Sequence, residues 1–497
     1  MKNLQLQTKI IVGSLSGLLL ALSFEYSQIW FLIPLVFSLW WGVTHKRSLG
    51  DYLAISFSFS LVFWAIHIIW IISIGVDAYI LLTLLMTLIY GSSGLLMYFL
   101  RNSFLPFLGY AIVYIFLETL TQYFPFGGFP WAKIAYSAID SPFVKLAPFG
   151  STQLVAFSIF VVAMFTIPFI GFLLQKAIYP ALVIGISITS LTLFFNNLSL
   201  NYVATGEKVF LIVQGNVPRS GLLFNEQKLA VLDNHIIETK DFLENNTSAP
   251  DIDVILWPEN SIDVDPYINS EAESLLNNYL KEVNKPLIAG AVLTQNDNLK
   301  NSIIQLQGNI ENKQAEYTKF HLVPFGEYLP FRSILESRIS RFNLLSKDFI
   351  KGQEIINFKI GDKYISPIIC FEVAWNDILS KQIINGGELI SVHTNNATYA
   401  FSDQIYQQFQ ITRFRAIESG RQTLISATTG ISGHISEYGK ILWKSEEFKA
   451  MSHMAKVKLI SDVTPAIKFN KEINQISAIS LFILFGLSFL RSRINKQ

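Results

Sequence analysis

The single cysteine among the 497 residues of this chain, Cys370, lies at the end of an apolar run that is typical of a buried strand. Two other strand-like runs end close to groups that could work with a thiol, Glu259 in one case and Lys319 in the other. A thiol, a carboxylate and an ammonium can supply a nucleophile, a proton acceptor and a group that stabilises an oxyanion. Glu327 and Glu372 follow Lys319 and Cys370 closely and add carboxylates to the set. These residues predict covalent catalysis by the thiol.

The position of these groups at strand ends favours a catalytic role over a purely structural one. Taken alone, Cys370 could be a small buried apolar residue, Glu259 a solvated carboxylate and Lys319 a surface lysine. In α/β folds with a buried sheet, however, functional groups lie beyond the carboxyl ends of the strands. An unperturbed thiol has a pKa of about 8.5, so useful thiolate at neutral pH needs a base. We expect Glu259 to accept the thiol proton and Lys319, with a backbone N–H, to hold the oxyanion.

The composition divides the chain into a membrane part and a soluble part. Hydrophobic residues make up 51% of the chain and charged residues only 15%, and the mean hydropathy is +0.39. The shortage of charge falls almost wholly on residues 1–200. A net charge of +1 gives no case for nucleic acid binding. One cysteine excludes an internal disulfide and a cysteine-based zinc cluster, and no phosphate-binding glycine loop is present, so we predict neither a cofactor nor a metal.

Long apolar runs predict about eight transmembrane spans, because each approaches the roughly 17–25 residues that a bilayer needs. The runs are about 9–24, 29–44, 52–75, 79–100, 104–122, 151–174, 178–196 and 475–491. A signal peptide is an alternative for the first run, but no small-residue cleavage site follows it and another span begins at once. We predict a membrane domain over 1–200, a catalytic domain over 201–463, and a last transmembrane helix with a cytoplasmic tail over 464–497.

Basic residues in the short loops predict the orientation. If the N-terminus is cytoplasmic, the Lys and Arg residues at 46–47, 101 and 176 and those of the C-terminal tail are all cytoplasmic. The opposite short loops hold no Lys or Arg. Both chain termini are therefore predicted in the cytoplasm, and the soluble domain is predicted on the other side of the membrane.

The loop at about 123–150 differs from the others because it is long, aromatic and rich in proline and glycine. It contains Phe129, Pro130 and Trp131, and aromatic side chains of this kind favour the headgroup level of a bilayer. One interpretation is an interfacial re-entrant loop without chemistry. The other is a wall for lipid access to the soluble domain. Glu118 lies within a predicted span, where a carboxylate is costly unless it faces protein or water.

Residues from about 205 to 463 predict an α/β domain. Short apolar runs at 209–213, 254–257, 286–293, 302–307, 365–370 and 388–393 are typical of strands. Helical spacing is found at 224–245 and 403–420, and a strand pair is expected at 423–428 and 431–437. Near-continuous apolar strands that alternate with helices indicate a sheet buried on both faces.

The chain resembles the nitrilase superfamily at these residues. Glutamate, lysine and cysteine occur in that order within the segments 257–259, 319–327 and 370–372. The segment 321–330, which reads HLVPFGEYLP, makes the resemblance specific. Seven spans before the soluble domain, one span after it, and the loop sequence GFPW at 128–131 are similar to the apolipoprotein N-acyltransferase family within that superfamily. The resemblance extends over essentially the whole chain.

The resemblance implies a four-layer αββα domain carried by a multi-pass helical bundle in the bacterial inner membrane, with the domain on the periplasmic side. It implies transfer of an acyl chain from a phospholipid, by family resemblance phosphatidylethanolamine, to the N-terminal amine of a diacylglyceryl-cysteine lipoprotein. Glu259 is then the general base, Lys319 stabilises the oxyanion, and Cys370 forms a thioester. The residues that it implies as supporting groups are Glu327, Glu372, Phe371, Asn301 and Phe224.

The chain departs from the family pattern at several positions. The family's Ser-Asn-Asp-Ala-Trp-Phe-Gly stretch reads TNNATYA at 394–400, so Thr398 and Ala400 replace its Trp and Gly. Phe371 stands where the family often has tyrosine, and Phe224 stands where it commonly has tryptophan. An arginine often found near Glu118 would fall at Thr121, which leaves the partner of that glutamate open.

Two rival functions remain at the level of sequence. A membrane-tethered amidase or nitrilase could use the same three residues to hydrolyse C–N bonds of small substrates. A transporter with a ligand-binding soluble domain would not need Cys370 at all. Few intramembrane charges and no paired half-helices count against the transporter.

Overall fold

Two units make up the fold in the computed structural model, which describes residues 5–45, 47–103, 105–217, 229–246, 251–335, 347–399 and 401–494. The first unit contains Met1–Leu200 and Phe469–Gln497, and the second contains Asn201–Lys468. The second unit is therefore connected to the first at both of its ends.

The first unit consists of apolar helices. In both units together, the described residues form the helices α1 (Leu6–Glu25), α2 (Leu32–Thr44), α3 (Leu49–His67), α4 (Val76–Gly91), α5 (Ser93–Leu100), α6 (Pro106–Leu120), α7 (Ile134–Ser137), α8 (Ala147–Leu174), α9 (Ile178–Asn196), α10 (Ala230–Asn245), α11 (Ser270–Val283), α12 (Arg332–Leu335), α13 (Asp377–Ile384), α14 (Gln404–Ser419), α15 (Pro465–Lys468) and α16 (Asn470–Ile494). Among the described residues, six helical segments are long and apolar enough to cross a membrane: Leu6–Glu25, Leu49–His67, Val76–Leu100, Pro142–Leu174, Ile178–Asn196 and Asn470–Arg491. Shorter apolar helices cover Leu32–Thr44 and Pro106–Leu120. The chain is a multi-pass membrane protein.

Small residues let the helices of this unit approach closely. A Cβ atom on Gly17 of α1 would lie 2.3 Å from the carbonyl oxygen of Phe59 in α3. A Cβ atom on Gly94 of α5 would lie 2.6 Å from the carbonyl oxygen of Tyr52, also in α3. Helix packing in membranes relies on such contacts because apolar surface gains little by leaving lipid. Any larger residue at either glycine would force the helices apart.

The aromatic loop after α6 packs its central residues into the first unit. Phe129 and Trp131 are buried, and Trp131 lies against Trp70 with 5.7 Å between the ring centroids. By contrast, Phe124 and Phe126 at the tip of the loop are 50% and 43% exposed. The lipid-access role predicted for Phe129, Pro130 and Trp131 stays a prediction, but the exposed tip is the part of the loop that is open to contact lipid.

Glu118 has partners within the same unit. Its Oε1 atom accepts a hydrogen bond of 2.7 Å from the backbone N–H of Ile134, at the start of α7. The ammonium of Lys133, a residue that is 1% exposed, interacts electrostatically with the same carboxylate. The glutamate at the end of α6 therefore holds the far end of the aromatic loop, which answers the question left by Thr121.

Among its described residues, the second unit contains two six-stranded sheets. The strands are β1 (Ala204–Gln214), β2 (Val254–Leu256), β3 (Leu287–Gln295), β4 (Asn298–Gln307), β5 (Asn309–Thr318), β6 (Phe358–Ile360), β7 (Lys363–Ile369), β8 (Leu389–Thr394), β9 (Thr423–Ala427), β10 (Gly433–Ile435), β11 (Ile441–Lys444) and β12 (Met451–Ile460). One sheet has the order β12-β1-β2-β3-β4-β5 and the other the order β11-β10-β9-β8-β7-β6. β1, β2 and β3 are parallel, as are β7, β8 and β9.

The sheets face each other between helices. His393 of β8 is hydrogen-bonded through Nδ1 to the carbonyl oxygen of Trp257, which follows β2, at 2.7 Å. Side chains of α10 and α11 pack with β1, β2 and β3 in one buried apolar cluster. On the other sheet, Arg415 of α14 donates a 2.8 Å hydrogen bond to the carbonyl oxygen of Val373. This arrangement confirms the predicted layered α/β domain.

The predicted strands and helices agree with the structure to within a few residues, with two differences. The strand predicted to end at Cys370 ends at Ile369, and Cys370 begins a 3₁₀ turn that runs to Ala374. The polar strand β5 and the edge strands β6, β11 and β12 were not predicted. Their partly exposed side chains lack the continuous apolar run that marks a buried strand. The first part of the helix predicted at 224–245 lies outside the described residues.

Candidate active site

The side chain of Glu259, at the carboxyl end of β2, is surrounded by hydrogen-bond donors. Its Oε1 atom accepts a hydrogen bond of 2.7 Å from Asn301 Nδ2 and lies 3.2 Å from Lys319 Nζ. Its Oε2 atom accepts a hydrogen bond of 2.7 Å from the backbone N–H of Asn395. All three neighbours are N–H donors, and hydrogen bonds of this kind stabilise a carboxylate. The backbone here has no spare room, since a Cβ on Gly290 would lie 2.5 Å from the Cα atom of Glu259.

Lys319 lies between two carboxylates. It directly follows β5, is 1% exposed, and places its Nζ atom 2.9 Å from Glu327 Oε1 as well as 3.2 Å from Glu259. Burial alone would lower the pKa of Lys319, but Glu259, Glu327 and Cys370 outweigh burial and raise that pKa well above its usual value. The ammonium is therefore a permanent cation at neutral pH.

Asn301 connects the two carboxylates. Its Nδ2 atom donates 2.7 Å hydrogen bonds both to Glu259 and to Glu327. Glu327 is fixed from the other side, because its Oε2 atom accepts a 2.8 Å hydrogen bond from the backbone N–H of Val323. The geometry thus joins Asn301 and Glu327, both expected from the sequence, to the glutamate and lysine of the candidate site.

Cys370 lies in an unusual backbone conformation. Its φ angle is +49°, in the left-handed region that non-glycine residues rarely occupy. The turn is held by Glu372, whose Oε2 atom accepts a 3.0 Å hydrogen bond from the N–H of Ile369. The other oxygen of Glu372 accepts from the backbone N–H groups of Phe320 and His321. Glu372 therefore ties the turn of Cys370 to the segment that carries Lys319.

The thiol is protonated at rest. Burial raises the pKa of Cys370 to about 12, and Glu259 adds to this effect, while Lys319 and Thr394 act in the opposite direction. Thiolate must therefore form as the proton is transferred, and the negative charge of Glu259 suits that carboxylate as the acceptor. The arrangement can therefore form the thiolate of Cys370 during the reaction, close to the ammonium of Lys319.

The remaining predicted residues have different positions. Phe371 follows the cysteine, is buried, and meets Trp375 edge to face with 4.8 Å between the ring centroids. Phe224 and Ala400 lie outside the described residues. Among those that are described, no group of three or more His, Cys, Asp or Glu side chains is placed to hold a metal ion.

The sequence placed residues 394–400 in a family stretch but did not reveal the contacts of three groups within it. They are the backbone N–H of Asn395, the hydroxyl of Thr394 and the phenol of Tyr399, whose pKa is raised by burial and then by Cys370. All three groups lie at or just after the carboxyl end of β8, which is next to β7 in the sheet. Their proximity to Cys370 depends on the order of the strands in the sheet, which the sequence does not show.

Two family models match the chain. The model of the apolipoprotein N-acyltransferase N-terminal domain matches residues 16–165, and that of the carbon-nitrogen hydrolase matches residues 225–459. A relative from Wigglesworthia glossinidia brevipalpis named apolipoprotein N-acyltransferase is 30% identical and aligns over 73% of this chain and 73% of its own length. This chain belongs to the apolipoprotein N-acyltransferase family.

Other members of the family extend the match. The apolipoprotein N-acyltransferase of Shewanella oneidensis is 26% identical, and the alignment covers 98% of this chain and 96% of that protein. Among solved structures, an amidase from Nesterenkonia sp. AN1 has a TM-score of 0.38 and 13% identity, and covers 54% of this chain and 98% of its own. That likeness is too distant to bear on function, whereas the alignment with the Shewanella oneidensis protein covers almost the whole chain, membrane helices included.

Proposed function

We propose that this protein is an apolipoprotein N-acyltransferase that uses Cys370 to carry the acyl group. The observation behind the proposal is the buried cluster in which Lys319 lies 3.2 Å from Glu259 and 2.9 Å from Glu327, with Cys370 acting electrostatically on Lys319. The cluster belongs to a domain attached at both ends to membrane-spanning helices. Such attachment suits substrates that keep their chains in a bilayer.

In the first half-reaction, the sulfur of Cys370 attacks an ester carbonyl of a phospholipid. The S–H proton passes to Glu259, a bond forms between sulfur and the carbonyl carbon, and the carbonyl electron pair moves to oxygen. Lys319 faces the resulting oxyanion with a full positive charge, an interaction whose loss typically costs ~10²–10³ in rate. The oxyanion then collapses, the ester C–O bond breaks, and Glu259 returns the proton to the departing lysophospholipid.

In the second half-reaction, the N-terminal amine of a diacylglyceryl-cysteine lipoprotein attacks the thioester. Glu259 takes a proton from the amine as the C–N bond forms, and Lys319 again balances the oxyanion. Collapse breaks the C–S bond, which leaves the N-acylated lipoprotein and returns the proton to the sulfur of Cys370. Phosphatidylethanolamine is the donor that we propose, by family resemblance.

The proposed location is the bacterial inner membrane, with both termini in the cytoplasm and the second unit on the periplasmic side. The distribution of Lys and Arg among the short loops supports this orientation.

The experiment that tests the function is mass spectrometry of the purified protein after incubation with isotope-labelled phosphatidylethanolamine. An acyl adduct on Cys370 is expected, and addition of a diacylglyceryl lipopeptide should remove it and yield the N-acylated peptide. The matched control is Cys370→Ala, which should carry no adduct. Ammonia release from small amides in place of acyl transfer would establish the rival amidase function and contradict the proposal.

A further inference from the structure

A cluster of buried polar side chains lies next to the nucleophile, and the mechanism above does not use it. Its members are Thr394, Asn396, Gln404 and Gln408. β7 and β8 are parallel neighbours in which Ile369 is opposite His393, so Cys370 and Thr394 take the next position along each chain. Thr394 is 2% exposed, and hydrogen bonding from its side chain acts to lower the pKa of Cys370. The end of β8 therefore places a buried hydroxyl beside Cys370.

Helix α14 holds this hydroxyl in place through Gln408. Gln408 Nε2 donates a 2.9 Å hydrogen bond to Thr394 Oγ1, and its Oε1 atom lies 4.0 Å from the sulfur of Cys370. That oxygen also accepts hydrogen bonds from Asn396 Nδ2 at 2.9 Å and from Gln404 Nε2 at 2.8 Å. With two amide donors on its oxygen, the Gln408 amide can present only its nitrogen to Thr394.

The direction of the Thr394 proton follows from this network. Since Thr394 Oγ1 already accepts a hydrogen bond from Gln408, its own hydrogen must point to another acceptor. Asn396 Oδ1 accepts a hydrogen bond from this hydroxyl at 3.3 Å, longer than the usual 2.5–3.0 Å. The sulfur of Cys370, whose pKa the Thr394 side chain acts to lower, is the other acceptor. A hydrogen bond to the charged form of a group stabilises that form, so the hydroxyl favours the thiolate.

We propose that Thr394 and Gln408 are positioning residues that act through Cys370: the Gln408 amide orients the Thr394 hydroxyl as a donor to the sulfur and so stabilises the thiolate. When the proton leaves, the S–H bond breaks, an O–H bond forms on Glu259, and the electron pair stays on sulfur under this donor. The consequence for acyl transfer rests on the proposed function, but the effect on the thiol does not.

The neutral donors can be changed without changing any charge near the sulfur. The titratable groups that act on Cys370 are Glu259, Lys319, Glu327 and Tyr399. None of these is altered when Thr394 or Gln408 is replaced by an apolar residue of similar size. A change in the reactivity of the thiol can therefore be assigned to the lost hydrogen bond.

The test is the rate at which iodoacetamide alkylates the intact protein in detergent, measured from neutral to alkaline pH. Cys370 is the only cysteine in the chain, so each adduct reports on this thiol. Thr394→Val should react about tenfold or more slowly at each pH, because a hydrogen bond to a charged group is lost. Thr394→Ser should keep the wild-type profile, and Gln408→Met, which frees the hydroxyl to rotate, should lie between the two.

Thr412→Val is the matched control. Thr412 is equally buried in α14, one turn beyond Gln408, and donates its hydroxyl to the Gln408 carbonyl oxygen at 2.9 Å. This variant should be alkylated at the wild-type rate. A wild-type profile for Thr394→Val, or an equal slowing in Thr412→Val, would overturn the positioning role. If the profile shifts as expected but the wild-type protein takes no acyl group from phospholipid, the positioning role stands and the proposed function fails.

Discussion

Replacing Lys319 by methionine should expose the electrostatic balance of the candidate site. The side chain of Lys319 is 2% exposed and those of its partners Glu259 and Glu327 are 5% and 12% exposed, so solvent screens these charges little. Lys319→Met leaves two carboxylates that share the amide of Asn301 and have no cation between them. Breaking a buried ion pair by removing one partner typically costs ~3–5 kcal/mol, and we expect a loss of that size in the free energy of unfolding.

The pH dependence of this loss has a definite sign. In the wild-type protein the pKa of Lys319 is raised, so its stabilisation is complete below the usual lysine pKa and is lost only as the pH rises through the raised value. The stabilisation is thus intact at neutral pH. The difference in unfolding free energy between the wild-type protein and Lys319→Met should therefore shrink only as the pH rises through the raised pKa of Lys319.

A double variant separates stability from catalysis. Lys319→Met combined with Glu327→Gln leaves a single buried charge, so thermal unfolding in detergent should recover much of the lost stability. Acyl-enzyme formation should remain reduced by ~10²–10³, because the oxyanion has still lost its cation. Lys300→Met is the matched control: Lys300 pairs with Glu316 in a partly exposed site, where such pairs contribute about 0–1 kcal/mol.

Two outcomes would refute this reasoning. Wild-type stability in Lys319→Met would mean that the two glutamates do not repel each other in the folded protein. Full activity in the double variant would mean that Lys319 serves only to neutralise Glu327.

Three further predictions concern the nucleophile, the topology and the loop. Cys370→Ser should fold normally and lose nearly all acyl transfer, because a hydroxyl is a far poorer nucleophile; retained turnover would exclude the thioester. In a Cys370→Ala background, single cysteines at Lys313 and Arg493 should label from opposite sides of the membrane. Phe126→Ala should slow acyl loading from bilayer phospholipid but not from a short soluble ester; Trp131→Ala, with its buried ring, should share this defect. Equal loss with the soluble ester would contradict lipid access.

The sequence alone determined much about this protein. Apolar runs of bilayer length predicted the spans, and the single thiol, the carboxylates and the lysine at strand ends predicted the chemistry. Such features are readable because each depends on neighbours within a few residues, such as the continuous apolar run before Cys370. The same locality explains the misplaced strand end, since the left-handed turn at Cys370 has no local signal.

Only the tertiary structure decided which side chains and backbone groups surround Glu259 and Cys370. Asn395 meets Glu259 across 136 residues of sequence and Asn301 meets it across 42, and neither contact leaves a periodic pattern in the chain. Thr394 lies beside Cys370 because β8 is paired with β7, and Gln408 donates a hydrogen bond to Thr394 from α14. Strand order and layer packing arise from burial over the whole domain, so the contacts that control proton and charge at the site become visible only in the folded chain.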